Sequence, residues 1–224
     1  MGDYLSQLKS FFRPSRTVPK VPWTAPTPWT LNIPRLAILF SGLFIFGIGD
    51  ALLIVSNLGN SPWTVLAQGV SKQLGISVGI STLIVSLAVL TMWIPLKEKP
   101  GFGTIANVFV IASAIDLGIH FLPKQEILAF ELFYAFVGIV LVGLGSALYI
   151  TCGLGSGPRD GWMTAIHRKT EIPVGRVRFG IEVLVLVTGW ALGGVIGLGT
   201  ALFATFIGPS VAISFGVVTR VTSR

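Results

Sequence analysis

Charge is what this sequence has least of. Asp, Glu, Lys and Arg make up 11% of its 224 residues, where a soluble domain carries roughly a quarter. Nine acids and 16 bases cannot coat a water-facing surface around a chain that is 52% apolar with a mean hydropathy of +0.81. A soluble fold is excluded on that ground. The single cysteine, Cys152, excludes a disulfide framework and a cysteine-rich metal centre. Two histidines, His120 and His167, leave little for zinc chemistry. No P-loop is present, so ATP hydrolysis is not the chain's own. No nucleophile–base pair stands out either. The sequence is therefore read as not an enzyme, with no catalytic residues, metal or cofactor.

Apolar runs and glycine are plentiful. A membrane-crossing helix needs about 20 mostly apolar residues, and six windows qualify: about 36–57, 78–96, 102–122, 127–151, 177–196 and 200–219. The expected fold is all-α and polytopic. Residues 1–34 are basic and interrupted by Pro14, Pro19, Pro22, Pro26, Pro28 and Pro34. They lack the apolar core of a cleavable signal and read as a retained, mostly disordered arm. Trp23 and Trp29 suit a membrane interface.

The bases assign an orientation. With the N-terminus in the cytoplasm, Lys9, Arg13, Arg16, Lys20, Arg35, Lys97, Lys99, Arg159, Arg168, Lys169, Arg176, Arg178, Arg220 and Arg224 fall inside. Only Lys72 and Lys124 fall outside. This bias is the positive-inside pattern and places both termini in the cytoplasm. The net charge of +7 is then a topology signal, and nucleic acid is not an expected partner.

A shift of 96 residues lays the first half of the chain on the second without a gap. Gly47-Ile48-Gly49-Asp50-Ala51-Leu52 falls on Gly143-Leu144-Gly145-Ser146-Ala147-Leu148, and Leu58-Gly59-Asn60-Ser61-Pro62 on Leu154-Gly155-Ser156-Gly157-Pro158. Ile76-Ser77-Val78-Gly79 falls on Ile172-Pro173-Val174-Gly175, and Gly101-Phe102-Gly103-Thr104 on Gly197-Leu198-Gly199-Thr200. Two repeats follow, 35–124 and 125–224. Each holds three spans, an odd number, so the halves are expected to cross in opposite senses, as in many secondary transporters. Each membrane face then presents one L-G-x-x-P turn and one G-x-G-T turn.

These turns carry candidate site residues. Ser61 can cap, and Pro62 can open, a helix over Trp63–Gly75 that is too short to span and reads as interfacial or re-entrant. Its start, Asn60-Ser61-Pro62-Trp63, and the equivalent Pro158-Arg159-Asp160 aim helix amides at the turn, a natural setting for an anion. A well-capped loop is the plainer reading of both. Thr104 and Thr200 can cap the helices after their glycine turns, and Asn107 adds a polar group one turn further on.

Ionisable groups at membrane depth are default functional candidates. Asp50 has no charged neighbour in sequence and is the leading candidate for coupling to a proton or cation. Arg178 and Glu182 are spaced to form an i, i+4 pair, a structural tie or a gate. Asp116 is expected to find His120, and Glu131 to lie at the interface. Gly47-Ile48-Gly49-Asp50 also spells the G-x-G-D of intramembrane aspartyl proteases, but no second aspartate precedes it, and the repeat explains its glycines.

Leu58-Gly59-Asn60-Ser61-Pro62-Trp63, Gly75-Ile76-Ser77-Val78-Gly79 and Gly101-Phe102-Gly103-Thr104 resemble the YczE/YyaS/YitT family of bacterial integral membrane proteins, most closely its YczE-type branch. The likeness runs from about residue 36 to 219 and implies a bacterial plasma-membrane protein without an established substrate. The reading is a small-molecule secondary transporter or exporter. The alternative is a non-transporting accessory or substrate-binding subunit that acts with a separate partner. Expected partners are the lipid bilayer, a small-molecule substrate, and a second copy of the chain or an accessory protein.

Overall fold

The computed structural model describes Pro14 and residues 17–222, and these residues form helices and no strand. Helix α1 (Ile33–Val55) opens where the Asn32 side chain accepts a 2.9 Å hydrogen bond from the Arg35 amide. The short α2 (Pro62–Leu74) is capped by Ser61 and stopped by Gly75 at φ +65°, a left-handed residue that ends helices. Helix α3 (Val78–Thr91) continues through a single turn, α4 (Trp93–Leu96), and α5 (Phe102–Phe121) completes the first half. The second half repeats the plan with α6 (Leu128–Thr151), the short α7 (Pro158–Thr170), α8 (Val174–Ala191) and α9 (Leu198–Thr222). The starts of α2 and α7, and of α5 and α9, are each 96 residues apart.

Five segments are long and apolar enough to cross a membrane: Ile33–Val55, Val78–Leu96, Phe102–Phe121, Leu128–Thr151 and Leu198–Thr222. The sixth expected window differs. Helix α8 ends at Ala191, and its first half carries Arg176, Arg178 and Glu182. Three charges in one 18-residue helix take it below the hydropathy of its neighbours. Large apolar side chains such as Phe109, Phe133, Phe179 and Trp190 are more than half exposed on the outer surface, as lipid contact requires and water does not tolerate.

Helices α1 and α6 cross antiparallel at the centre. Gly42 meets Gly145 and Tyr149, while Gly49 meets Gly138 and Val142, so the contacts run in opposite directions along the two helices. A Cβ at Gly49 would lie 2.8 Å from both the Gly138 carbonyl oxygen and the Val142 nitrogen. Small residues at such crossings let backbones approach, the usual route to tight packing in lipid. Helix α5 lies on α1, and α9 lies on α6. The two halves then part company: α3 packs along α5, whereas α8 packs on α2 and stands apart from α9.

Residues 21–30 of the arm are ordered, where the sequence reading expects disorder. Trp23 Nε1 donates to Thr151 Oγ1 at 3.1 Å, and the Ala25 amide donates to the Cys152 carbonyl at 2.8 Å. Buried Arg35 draws the arm in by donating from Nε to the Trp23 carbonyl at 2.5 Å and from a terminal nitrogen to the Thr30 carbonyl. Residues 1–13, 15 and 16 of the expected arm, and Arg224 among the basic residues, lie outside the described residues. The lone candidate tie between Asp116 and His120 is replaced by another. Asp116 accepts from Ser77 Oγ at 2.5 Å and from the Gly79 amide at 2.7 Å, because a carboxylate is a strong partner for the free amides at the start of α3.

The crossing predicts a clear contrast. Gly49→Val should lower the thermal unfolding midpoint in detergent, by overpacking worth about 1–3 kcal/mol. Gly180→Ala, with nothing within 4 Å of its added Cβ, should leave the midpoint unchanged or slightly raised. Equal effects would contradict the packing described.

Candidate functional site

Each half starts a helix inside the molecule, and the first amides of a helix have no partner within it. The solution is an exchange between halves. The Gly199 amide donates to the Leu58 carbonyl at 2.7 Å, and the Gly103 amide donates to the Leu154 carbonyl at 2.8 Å. These two bonds are related by the 96-residue shift. Gly59 (φ +104°) and Gly155 (φ +120°) adopt backbones that favour glycine. Each also leaves room for a threonine of the other half: an added Cβ would lie 2.7 Å from Thr200 Oγ1 or Thr104 Oγ1 respectively. Thr104 Oγ1 donates to the Ser156 carbonyl at 2.7 Å and accepts from the Gly101 amide at 3.2 Å. Thr200 Oγ1 accepts from the Gly197 amide at 3.3 Å. Thr104 and Thr200 are thus buried turn ties and do not line a cavity.

The tied turns bring the starts of α2 and α7 to one partly open space of about 160 Å³. Its walls repeat with the same shift: Phe46 and Val142, Ser61 and Gly157, Pro62 and Pro158, Trp63 and Arg159, Asn107 and Phe203, Ile111 and Ile207 all line it. The Arg159 guanidinium lies over the Trp63 ring, 5.4 Å from its centroid, within the range of a cation–π contact. Equivalent positions of the two halves therefore touch, with the cavity between them.

The polar lining is partly matched. Tyr149 Oη donates to Asp160 Oδ2 at 3.1 Å, and Arg178 Nε donates to Glu182 Oε1 at 2.8 Å. Ser61 Oγ shares a 2.8 Å hydrogen bond with Thr64 Oγ1 and accepts from the Thr64 amide. Gly157, at the equivalent cap position, has no side chain to offer, so the first amides of α7 lack that cap. Trp93 Nε1 steadies the turn by donating to the Pro158 carbonyl at 3.0 Å.

Of the sequence candidates, Ser61, Pro62, Trp63, Asn107, Arg159, Asp160, Arg178 and Glu182 meet at this cavity. Asp50 and Asn60 do not line it. Asp50 is 1% exposed, with neither carboxyl oxygen hydrogen-bonded, and Thr64 and Arg159 are its polar neighbours. Asn60 is equally buried. Its Nδ2 donates to Gln68 Oε1 at 2.9 Å, which also accepts from the Val195 amide at 3.2 Å, while Asn60 Oδ1 is unpartnered. Tyr149 and Ser146 line the cavity unannounced. A phenol near the end of a long apolar span was the available signal for Tyr149, and Ser146 stands where the first half has Asp50. Among the described residues no three His, Cys, Asp or Glu side chains gather to hold a metal.

The family model described as "Family of unknown function (DUF6198)" matches residues 33–215, which reaches from the first helix into the last and takes in all the lining just described. The chain belongs to that family. An uncharacterized protein of Haemophilus influenzae is 41% identical over 205 residues, 92% of this chain and 94% of that protein. The uncharacterized membrane protein YczE of Bacillus subtilis is 33% identical over 176 residues, covering 78% of this chain and 82% of its own. The same organism's uncharacterized protein YyaS is 30% identical over 184 residues, 80% and 91% of the two chains. No solved structure matches the chain. Family membership and the apolar helices make this a membrane protein.

The two threonine ties are unequal, and so are their expected losses. Thr104→Val leaves both the Gly101 amide and the Ser156 carbonyl without their hydroxyl partner and should cost roughly 1–3 kcal/mol. Thr200→Val removes the one bond from Gly197 and should cost less. Chemical unfolding of the two variants in detergent tests the order, and the reverse order would contradict the turn geometry.

Proposed function

We propose that this protein is a small-molecule secondary transporter or exporter of the bacterial plasma membrane. The observation that carries the reading is the cavity formed where the starts of α2 and α7 converge, one from each half, with Arg159, Asp160, Tyr149, Arg178 and Glu182 in its wall. Substrate sites at the junction of two repeats, built by interrupted helices, are the hallmark of such carriers. The antiparallel crossing of α1 and α6 supports halves of opposite topology. The unequal packing of the halves supports a carrier at rest in one state: α3 is closed onto α5 by Asp116, while α8 is parted from α9.

Asp50 is the coupling group in this mechanism. Its carboxyl is buried without a hydrogen-bond partner, beside Thr64 and near Arg159. A buried acid in that setting exchanges a proton when the neighbouring helix starts move, because an unpaired charge there is costly. Arg178 and Glu182, on the parted side, open and close the route to the cavity. Apart from proton exchange at Asp50, this cycle makes and breaks no covalent bond, so in this reading the protein acts as a carrier and not as an enzyme, without a cofactor.

Two measurements test this. Proteoliposomes containing the purified chain and internal pyranine, challenged with a panel of small metabolites, should show solute-dependent proton movement that Asp50→Asn abolishes. Flux that persists in Asp50→Asn would remove the coupling role, and flux that requires a co-purified ATPase would move the chain to the accessory class. Single cysteines at Lys72 and Lys124 should react with an impermeant maleimide from outside intact cells, and one at Lys97 should not. Native Cys152 is buried and gives no background. The reverse labelling would overturn the orientation.

A further inference from the structure

The central cavity holds polar groups that the fold itself leaves unused. Ser146 is 7% exposed and lies in the cavity wall, and its hydroxyl makes no hydrogen bond among the described residues. Elsewhere on the same helix a buried hydroxyl returns to the backbone: Thr151 Oγ1 donates to the Ala147 carbonyl at 2.8 Å. The Asn107 side-chain amide is likewise unbonded among the described residues, and it stands at the uncapped start of α7. A Cβ added to Gly157 would lie 3.4 Å from Asn107 Nδ2 and 3.3 Å from Tyr149 Oη. Buried polar groups are ordinarily hydrogen-bonded, so a cluster of unused ones is a place for a polar solute.

The charges in the wall balance, but two of them are not joined. Arg178 and Glu182 neutralise each other as a pair. Arg159 and Asp160 are consecutive in α7, and consecutive helical side chains do not face each other. Among the described residues neither makes an ion pair. Arg159 lies over the Trp63 ring, and Asp160 accepts from the Tyr149 hydroxyl. Asp50, near Arg159 but outside the lining, adds a further acid and no further cation. The lining therefore selects no anion. It presents one separate charge of each sign, and a solute of a single sign would leave the opposite pole unmatched. A solute carrying both signs meets both with charge-assisted hydrogen bonds.

Size and access narrow the solute further. About 160 Å³ is the liquid volume of about five waters, well short of the roughly 300 Å³ or more of a drug-sized site. The rest of the wall is apolar, with Phe46, Ile111, Val142 and Ile207. Beside the cavity a larger fissure of about 480 Å³ opens between α8 and α9 and shares Arg178 and Glu182 with it. In the first half the equivalents of these two residues are Thr82 and Ser86, both buried. The tie that closes that half uses Ser77 and Asp116, whose equivalents Pro173 and Ala212 can make no such bond. The way into the cavity thus lies on the side of the second half.

We propose that the central cavity binds a small zwitterion, an α-amino acid with an apolar side chain. Its carboxylate meets Arg159 and the open amides at the start of α7, and its ammonium meets Asp160. The apolar side chain lies against Phe46, Ile111, Val142 and Ile207, and Ser146 and Asn107 supply the remaining polar contacts. This names the substrate class of the proposed carrier and rests on that reading for transport, while binding rests on the geometry of the cavity alone.

Binding of tritiated L-alanine, L-valine and L-leucine to the purified full-length chain in phosphatidylcholine nanodiscs tests it. At least one of the three should bind saturably below about 1 mM, the usual range for small metabolites. Two analogues of leucine then separate the poles: 4-methylpentanoate lacks the ammonium, and 3-methylbutylamine lacks the carboxylate. Each should compete at least about tenfold more weakly than leucine, the factor that losing one charge-assisted hydrogen bond gives. Arg159→Gln should weaken leucine about tenfold and leave 3-methylbutylamine unchanged, and Asp160→Asn should weaken leucine and leave 4-methylpentanoate unchanged. Ser146→Ala breaks no described hydrogen bond, so it should weaken leucine about threefold without lowering the unfolding midpoint. Absence of saturable binding by all three amino acids would overturn the proposal. So would an analogue that competes as well as leucine, which would give the site to a simple anion or a simple cation, or leucine binding unaltered in all three variants. The analogue comparison needs no variant, so it decides even where a substitution prevents folding. An amino acid that binds without flux refutes transport alone, and flux of another solute without amino-acid binding refutes the zwitterion alone.

Discussion

Everything in this molecule depends on satisfying the backbone of two helices that start inside it. Lipid offers no hydrogen bonds, so an interrupted helix survives at membrane depth only where protein supplies the partners. Here each half supplies them to the other. Gly199 donates to Leu58, Gly103 donates to Leu154, and the Thr104 and Thr200 hydroxyls lie against the glycine turns of the opposite half. The exchange holds the starts of α2 and α7 at a common point, and the cavity is the space left between them. The charged residues of the site follow from that placement, since Arg159 and Asp160 are the second and third residues of α7.

Much of this was legible in the sequence because it is local. Pro62 and Pro158 open helices, Ser61 caps one, and the glycine turns repeat at a fixed distance. These are rules of backbone geometry, and the helices begin where they require. Span length was legible for five segments, and for α8 it was not: a window scan weighs apolar content, and Arg176, Arg178 and Glu182 sit at that helix's opening. Partners across the fold were illegible for a different reason. That Asp116 reaches Ser77 and Gly79, or that Tyr149 reaches Asp160, depends on which helices become neighbours. Asp50 was conspicuous as an acid in an apolar run, yet its side chain lies beside Thr64, outside the cavity lining. Sequence identifies a costly group; packing alone decides what it faces.

The departures from the repeat carry as much meaning as the repeat. Trp63 and Arg159 are equivalent positions, and they meet as an aromatic ring and a cation. Ser77 and Asp116 close one side, while Pro173 and Ala212 cannot close the other. Thr82 and Ser86 are buried, while Arg178 and Glu182 stand in an open fissure. The repeated sequence gives two equivalent sets of turns, and substitutions at these few positions make their surroundings unlike. An ordered arm adds a further asymmetry, since Trp23, Thr24 and Ala25 bond to the end of α6.

The reciprocal exchange of turn hydrogen bonds is the claim on which the cavity, the fissure and the carrier mechanism all rest. Hydrogen–deuterium exchange of the protein in nanodiscs, resolved to the peptides holding Gly103 and Gly199, tests it most directly. The account predicts strong protection of both amides, although each lies at the first turn of a helix where free amides ordinarily exchange fast. Rapid exchange at either one would contradict it.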